Sequence, residues 1–287
     1  MNQWKIGDVL VTRIVEMEVA GGTKFILPEA TREACLPIGW MQPNFMDSEG
    51  NLIMSIHALI IDTGEKRIIV DTCVGNDKKR NIPSWNNLQT NFLKDLKEAG
   101  YPKESIDLVM CTHLHVDHVG WNTMLVNNEW IPTFSNARYL IAEKEWRYWD
   151  ANEDEDLYGP VIADSVRPIV DAEMVDFVDD HFRLCKEVSL IPTPGHTPGH
   201  VSVLITSKKK KALITGDFIH HPVQMTKTDW CSSADYDQAQ GQITRETLLE
   251  KYVDRDILII GTHFATPTAG YIKRLEEGGY WLDVRNL

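Results

Sequence analysis

The segment Cys111-Thr112-His113-Leu114-His115-Val116-Asp117-His118 puts three imidazoles and a carboxylate within six residues, directly after the short apolar run Ile106 to Cys111. A short, nearly continuous apolar run reads as a strand covered on both faces, so the cluster falls at a strand's carboxyl end. Side chains alternate along an extended chain, which sends His113 and His115 to one side, where both can ligate one cation. Asp117 shares their parity, but a turn before it lets Asp117 and His118 address a second cation. Packing alone gives no reason for this density of ionisable groups.

Four ligands do not complete two cations, and three further positions, each at a predicted strand end or tight turn, are available. They are His196 in Thr193-Pro194-Gly195-His196-Thr197-Pro198-Gly199-His200, Asp217 in Thr215-Gly216-Asp217, and His263 in Gly261-Thr262-His263. Imidazole with a few carboxylates suits zinc first, with iron, manganese and cobalt as the other candidates. A cation-bound water has its pKa lowered toward ~7 and can serve as the nucleophile. No serine or cysteine nucleophile is then required, and the chain lacks a G-x-S-x-G turn.

Around these motifs strands and helices interleave. Val9 to Val19 alternates apolar and polar residues as a half-buried strand. Leu52 to Asp62 and Lys66 to Asp71 form a hairpin about Thr63-Gly64-Glu65. Apolar residues at helical spacing predict a helix over Ser84 to Ala99, closed by Gly100. Further strands are expected at Arg138 to Ile141, Val188 to Ile191, Val201 to Thr206, Ala212 to Thr215 and Ile257 to Ile260. Helices are expected at Glu143 to Trp149, Asp164 to Val170 and from Asp235 to about Tyr252. The four lysines Lys208 to Lys211 read as a solvated hairpin turn. No linker divides the chain, so residues 1–287 read as one α/β domain. Within it, residues 24–49, with Trp40, Met41, Phe45 and Met46 in a Pro/Gly-broken stretch, read as a lid or a contact surface of a homodimer.

Charge narrows the partners. Lys and Arg number 29 against 42 Asp and Glu, a net −13, which repels phosphate backbones and disfavours nucleic acid. A small-molecule substrate is expected instead. Five cysteines without a C-x-x-C pair, and an N-terminus without an apolar leader, fit a reducing cytoplasm. No run approaches the ~18 apolar residues of a membrane span.

Taken in order, the H-x-H-x-D-H segment, the G-H-T-x-G-H turn, the G-D turn and the late G-x-H strongly resemble the metallo-β-lactamase-fold hydrolase superfamily, over about Val9 to Ile272. The resemblance implies an αββα sandwich, two mixed β-sheets flanked by helices, with two metals at one edge. It places His113, His115 and His196 on the first metal, Asp117, His118 and His263 on the second, and Asp217 between them. Asp71, at the end of Ile69-Val70-Asp71, matches an early strand-end aspartate that orients metal ligands.

Departures from relatives refine the chemistry. Zinc β-lactamases of the cysteine-containing group carry Cys where Asp217 stands, so β-lactams are not the first choice. Quorum-quenching acyl-homoserine lactonases share the seven ligands and carry a Tyr three residues after the bridging Asp. Here that residue is His220, followed by His221 and Pro222; its imidazole either donates the same hydrogen bond to a substrate carbonyl or lines the pocket. Asp117 and His220 are the candidate catalytic groups. His221, Trp121 and Phe264, with Trp40, Phe45 and Trp85, are the expected pocket walls. The leading expectation is a dinuclear hydrolase of a small ester or lactone. Methyl-parathion-hydrolase-like cleavage of organophosphate triesters and RNA phosphodiester cleavage are the alternatives.

Overall fold

The computed structural model describes residues 2–152 and 157–285. Its first half contributes β1 (Gln3–Ile6), β2 (Val9–Ala20), β3 (Ile53–Asp62), β4 (Arg67–Val70), β5 (Leu108–Cys111), a separate hairpin of β6 (Thr123–Val126) and β7 (Glu129–Pro132), then β8 (Arg138–Ala142) and β9 (Val175–Val178). Seven of these pair in the order β1-β2-β3-β4-β5-β8-β9, and the contacts from β4 to β9 are parallel. The second sheet runs β10 (Val188–Pro192), β11 (Val201–Ser207), β12 (Lys210–Ile214), β13 (Leu258–Ile260), β14 (Ala269–Arg274) and β15 (Tyr280–Asp283), in that spatial order. Helices α1 (Arg32–Cys35), α2 (Phe92–Glu98), α3 (Glu143–Ala151), α4 (Arg167–Asp171), α5 (Val223–Thr226) and α6 (Gln238–Tyr252) complete the described elements with a few 3-10 and π turns.

Strand alternation builds three apolar layers from these elements. On β4, Ile68 and Val70 point inward while Ile69 points outward; on β3, Leu59 and Ile61 oppose Ile60. The inward set meets Val203, Ile205, Ile214 and Ile260 of the second sheet. The outward set packs under Phe92 and Leu96 of α2 and Ile169 of α4. On the far side, Leu213 and Ile259 lie under Leu248, Leu249 and Tyr252 of α6. Each such side chain contributes about 1.5–3 kcal/mol when fully buried, and burial on both faces explains the unbroken apolar runs of β4, β5 and β13. The result is the expected αββα sandwich.

Two stretches differ locally from the expected packing. The helix expected over Ser84 to Ala99 forms only as α2; residues 84–87 are a turn and 88–91 are irregular. Polar side chains hold this stretch against the preceding loop: Asn86 Oδ1 accepts from Arg80 N at 3.0 Å, and Asn87, with φ of 52°, donates its N–H to Lys78 O at 2.7 Å. Trp85 and Leu88 still pack on the core from this stretch. In residues 24–49 the four apolar residues that suggested a lid or a second copy are packed inward, while Phe25 stays exposed at the cavity wall. Met41, Phe45 and Met46 are fully buried with Leu27, Cys35 and Leu52 against the second sheet and α6, and Trp40 leans on Phe45 and Trp281.

Segment 118–121 is fastened to segment 72–75 by backbone bonds: Thr72 N–H donates to His118 O at 2.7 Å, Gly120 N–H to Cys73 O at 2.8 Å and Trp121 N–H to Thr72 O at 2.8 Å. A Cβ on Gly120 would lie 1.8 Å from Val74 O, so only glycine permits this approach. Gly120→Ala is expected to cost about 2–4 kcal/mol, because backbone rather than a flexible side chain must move. Urea denaturation checks it, and an unchanged midpoint would contradict the described contact.

Candidate metal centre

Parallel pairing sets the carboxyl end of β5 beside that of β4, and this brings Asp71 to the start of the histidine segment. Asp71 is buried, with Oδ1 accepting Thr112 N–H and Oδ2 accepting Thr112 Oγ1, both at 2.8 Å; His118 Nδ1 lies 3.0 Å from Oδ2. One carboxylate thus fixes both the exit of β5 and the ring of His118. His263, in the loop after β13, has its Nδ1 3.0 Å from Ser55 O. Both rings therefore present Nε2 to the centre.

Seven side chains meet there. His113 Nε2, His115 Nδ1 and His196 Nε2 are linked by separations of 3.1 and 2.9 Å. Asp217 Oδ2 lies 3.5 Å from His196 Nε2, 3.3 Å from His118 Nε2 and 3.1 Å from His263 Nε2. His118 and His263 face each other Nε2 to Nε2 at 3.3 Å, and Asp117 lies 3.6 Å from His118 through Oδ1 and 3.6 Å from His263 through Oδ2. A tetrahedral cation with bonds of ~2.0–2.1 Å spaces its donors by roughly 3.3–3.4 Å. These separations match that spacing, and the donors fall into the triads His113/His115/His196 and Asp117/His118/His263, with Asp217 reaching both. Asp217 Oδ1 is buried without a hydrogen-bond partner among the described residues, a state that costs about 1–3 kcal/mol unless something else meets it. Converging lone pairs and an orphaned carboxylate oxygen fit a divalent cation at each triad.

The electrostatics agree. Burial, together with the neighbouring imidazoles, pushes His113 and His115 well below the ordinary histidine range, and burial holds His196 down at about 3. Burial also opposes protonation of His118 and His263, but the carboxylates, Asp217 foremost, outweigh it and raise both. Burial works against ionised Asp217 too, yet His263, His118 and His220 hold its carboxyl well below the usual range. Neutral His113, His115 and His196 beside an ionised Asp217 are in the protonation state that metal binding requires, whereas His118 and His263 each have a proton to release as a cation binds.

Two buried acids that the sequence reading passed over brace this cluster. Asp235 Oδ1 lies 2.8 Å from His196 Nδ1, while its Oδ2 accepts Ser232 N–H at 2.9 Å. Glu145 on α3 ties the two ligand-bearing loops together: Oε1 accepts Leu114 N–H at 3.0 Å and Trp149 Nε1–H at 2.8 Å, and Oε2 accepts Thr197 Oγ1–H at 2.7 Å and Gly199 N–H at 3.1 Å. His200 stands behind the site as a structural residue, its Nε2 accepting Asp217 N–H at 2.7 Å. Asp235→Ala is expected to weaken metal binding about 10–100-fold by freeing the His196 ring. Competition with a chromophoric chelator measures this, and unaltered affinity would remove the orienting role.

The centre forms the polar end of a cavity of about 290 Å³, where His115, Asp117, His196, Asp217, His220 and His263 are exposed to it. Met17, Phe25, Met54, Ile56, Ile82 and Trp85 line its walls, and among the described residues no Lys or Arg does. Of the expected wall residues, Trp85 and His220 reach the cavity and the others do not. Trp121 is buried, stacked on Phe92 and donating Nε1–H to Glu16 at 2.7 Å. Phe264 follows His263 on the opposite side of the chain and packs against Phe45. His221 turns away to donate Nε2–H to Phe45 O at 2.9 Å, its Nδ1 accepting Val223 N–H at 3.0 Å. Trp40 and Phe45 belong to the same core.

An αββα sandwich with a histidine and aspartate cluster at its strand ends defines a class of metal-centred proteins. The chain belongs to the metallo-beta-lactamase superfamily, whose family model matches residues 54–263. It is 26% identical over 179 residues to an N-acyl homoserine lactonase of a Bacillus species, covering 58% of this chain; the chain spans 64% of that relative's length. Two solved structures share the fold: the hydrolase AbOPH of the beta lactamase superfamily, with a TM-score of 0.80 at 21% identity, and AidC, a dizinc quorum-quenching lactonase, with 0.78 at 22%. Each alignment covers 99% of this chain and 97% of the other. No described helix is long and apolar enough to cross a membrane.

Proposed function

We propose that this chain is a dinuclear metal-dependent hydrolase of small uncharged esters and lactones, with two zinc ions as its cofactor. The observation that carries this reading is the junction of a two-triad donor cluster with an apolar cavity whose described lining holds no Lys or Arg. Bound at His113, His115 and His196 and at Asp117, His118 and His263, with Asp217 shared, divalent cations supply Lewis-acid polarisation of a carbonyl and activation of water near neutral pH.

The protein's own groups do the rest. The walls of Met17, Met54, Ile56 and Trp85 hold an acyl or aryl group and exclude water. Asp117, whose carboxylate opens into the cavity, takes a proton from water and returns it to the departing alkoxide. Asp71, Asp235 and Glu145 keep the ligand loops in register. Likeness to a protein named N-acyl homoserine lactonase puts lactones first among substrates. Organophosphate triesters are the second reading, because they too are uncharged and need no cationic contact. An anionic RNA phosphodiester finds no Lys or Arg in the described lining to hold its backbone beyond the metal centre itself and is the least favoured.

Elemental analysis of purified active protein, coupled to a panel of lactones, aryl esters, phosphotriesters and phosphodiesters, tests the proposal. About two metal ions per chain, loss of turnover on chelation, and faster cleavage of a lactone or aryl ester than of any phosphodiester are expected. Faster phosphodiester cleavage would overturn the substrate class, and one metal per fully active chain would overturn the dinuclear centre.

A further inference from the structure

We infer that His220 is a sixth imidazole ligand, binding the cation held by His113, His115 and His196, an inference that rests on the dinuclear reading above. His220 lies in the turn after β12, its backbone N–H donating to Gln224 Oε1 at 2.7 Å, and its ring is almost completely buried. Among the described residues neither ring nitrogen has a hydrogen-bond partner. A buried donor or acceptor left unmet costs about 1–3 kcal/mol, so the position selects for a ring that something else engages.

Geometry identifies what engages it. His220 Nε2 lies 3.3 Å from Asp217 Oδ2, the same separation that His118 Nε2 keeps from that oxygen. His196 Nε2 approaches the same oxygen at 3.5 Å, and the His196 and His220 rings stand 4.7 Å apart at 72°. His196, Asp217 and His220 thus form a donor triad of their own, spaced like the two described above. The alternative role, a hydrogen-bond donor to substrate, asks for a ring fixed from behind, as Asp71 fixes His118 and Asp235 fixes His196. Among the described residues no such group backs His220, and its Nε2 faces the buried Asp217 Oδ2 beside the cluster. The cation itself is what would orient the ring. One cation then has five candidate protein donors, His113, His115, His196, His220 and Asp217, while the other has Asp117, His118, His263 and Asp217. The second keeps more open positions and is the one a chelator should remove first.

Proton NMR of the cobalt-loaded wild-type protein counts ligating imidazoles without any substitution. Six isotropically shifted ring systems are expected, and five would overturn the assignment. Chelator competition on His220→Ala and His220→Tyr provides the second arm. Both variants are expected to hold one of the two cations at least about 10-fold more weakly, and their cobalt visible bands should strengthen as coordination number drops. A variant that binds both cations with wild-type affinity and an unaltered cobalt spectrum would likewise overturn the inference, even if its turnover falls. The dinuclear reading fails separately, through a wild-type protein that takes up fewer than two cations.

Discussion

Asp217→Ala is expected to remove both cations and lower kcat/KM by about 10³-fold or more, the largest single effect in the molecule. Asp217 Oδ2 is within 3.1–3.5 Å of the ligating nitrogens of His118, His196 and His263, so its loss takes a donor from each triad at once. Removing one well-placed electrostatic contact already costs about 10²–10³-fold, and here the group that holds the stabilising charges goes with it. It is also the carboxylate that does most to keep His118 and His263 protonatable in the metal-free cluster. Asp217→Asn separates charge from shape, because the amide fills the same volume yet binds cations poorly; it should resemble Ala in metal content and exceed it in thermal stability. Elemental analysis, circular dichroism and kcat/KM on one preparation check all three. An alanine variant that keeps two cations and a tenth of wild-type activity would exclude Asp217 as the shared ligand.

Residues legible in the sequence are those whose roles follow from local geometry. His113, His115, Asp117 and His118 stand at the end of an apolar run, and strand alternation with one turn is enough to bring them together. His196, Asp217 and His263 also sit where a strand or a tight turn ends, and parallel order stacks such ends along one sheet edge. Asp235 and Glu145 were not legible. Glu145 looks like any exposed helix acid beside Glu143 and Lys144, and only the arrival of Thr197 and Gly199 from 52 and 54 positions away turns it inward. Asp235 is defined by a contact to His196 from 39 positions away. Phe264 and His221 carry a different lesson. Each adjoins a cavity residue, and the alternation that made His113 and His115 legible puts a direct neighbour on the opposite side, into the core. In residues 24–49 the burial of Met41, Phe45 and Met46 was not legible because Pro and Gly erase the periodicity from which burial is read.

Stability of the metal-stripped protein is expected to peak near pH 6.5 and to fall on both sides for different reasons. Seven buried imidazoles, His57, His113, His115, His196, His200, His220 and His221, have folded values depressed chiefly by burial, with His196 and His220 at about 3 and His200 and His221 at about 4. Their contribution is complete above the unfolded value of ~6.5 and drains as pH falls toward 4, because the unfolded chain takes up protons that the folded one refuses. Each costs roughly 1 kcal/mol per pH unit in that window, so several together exceed the usual 5–15 kcal/mol margin of a domain within a unit or two. His118 and His263 act in the other direction. Their raised folded values make their contribution complete below ~6.5 and lost as pH climbs through those values. Bound cations lower the acid limb further, since they bind the folded chain and add RT ln(1 + [L]/Kd) to its stability. Urea midpoints at pH 8.5, 7.5, 6.5, 5.5 and 4.5, with and without zinc, draw both curves. A stripped protein as stable at pH 4.5 as at 6.5 would show that these rings are not the buried neutral set described.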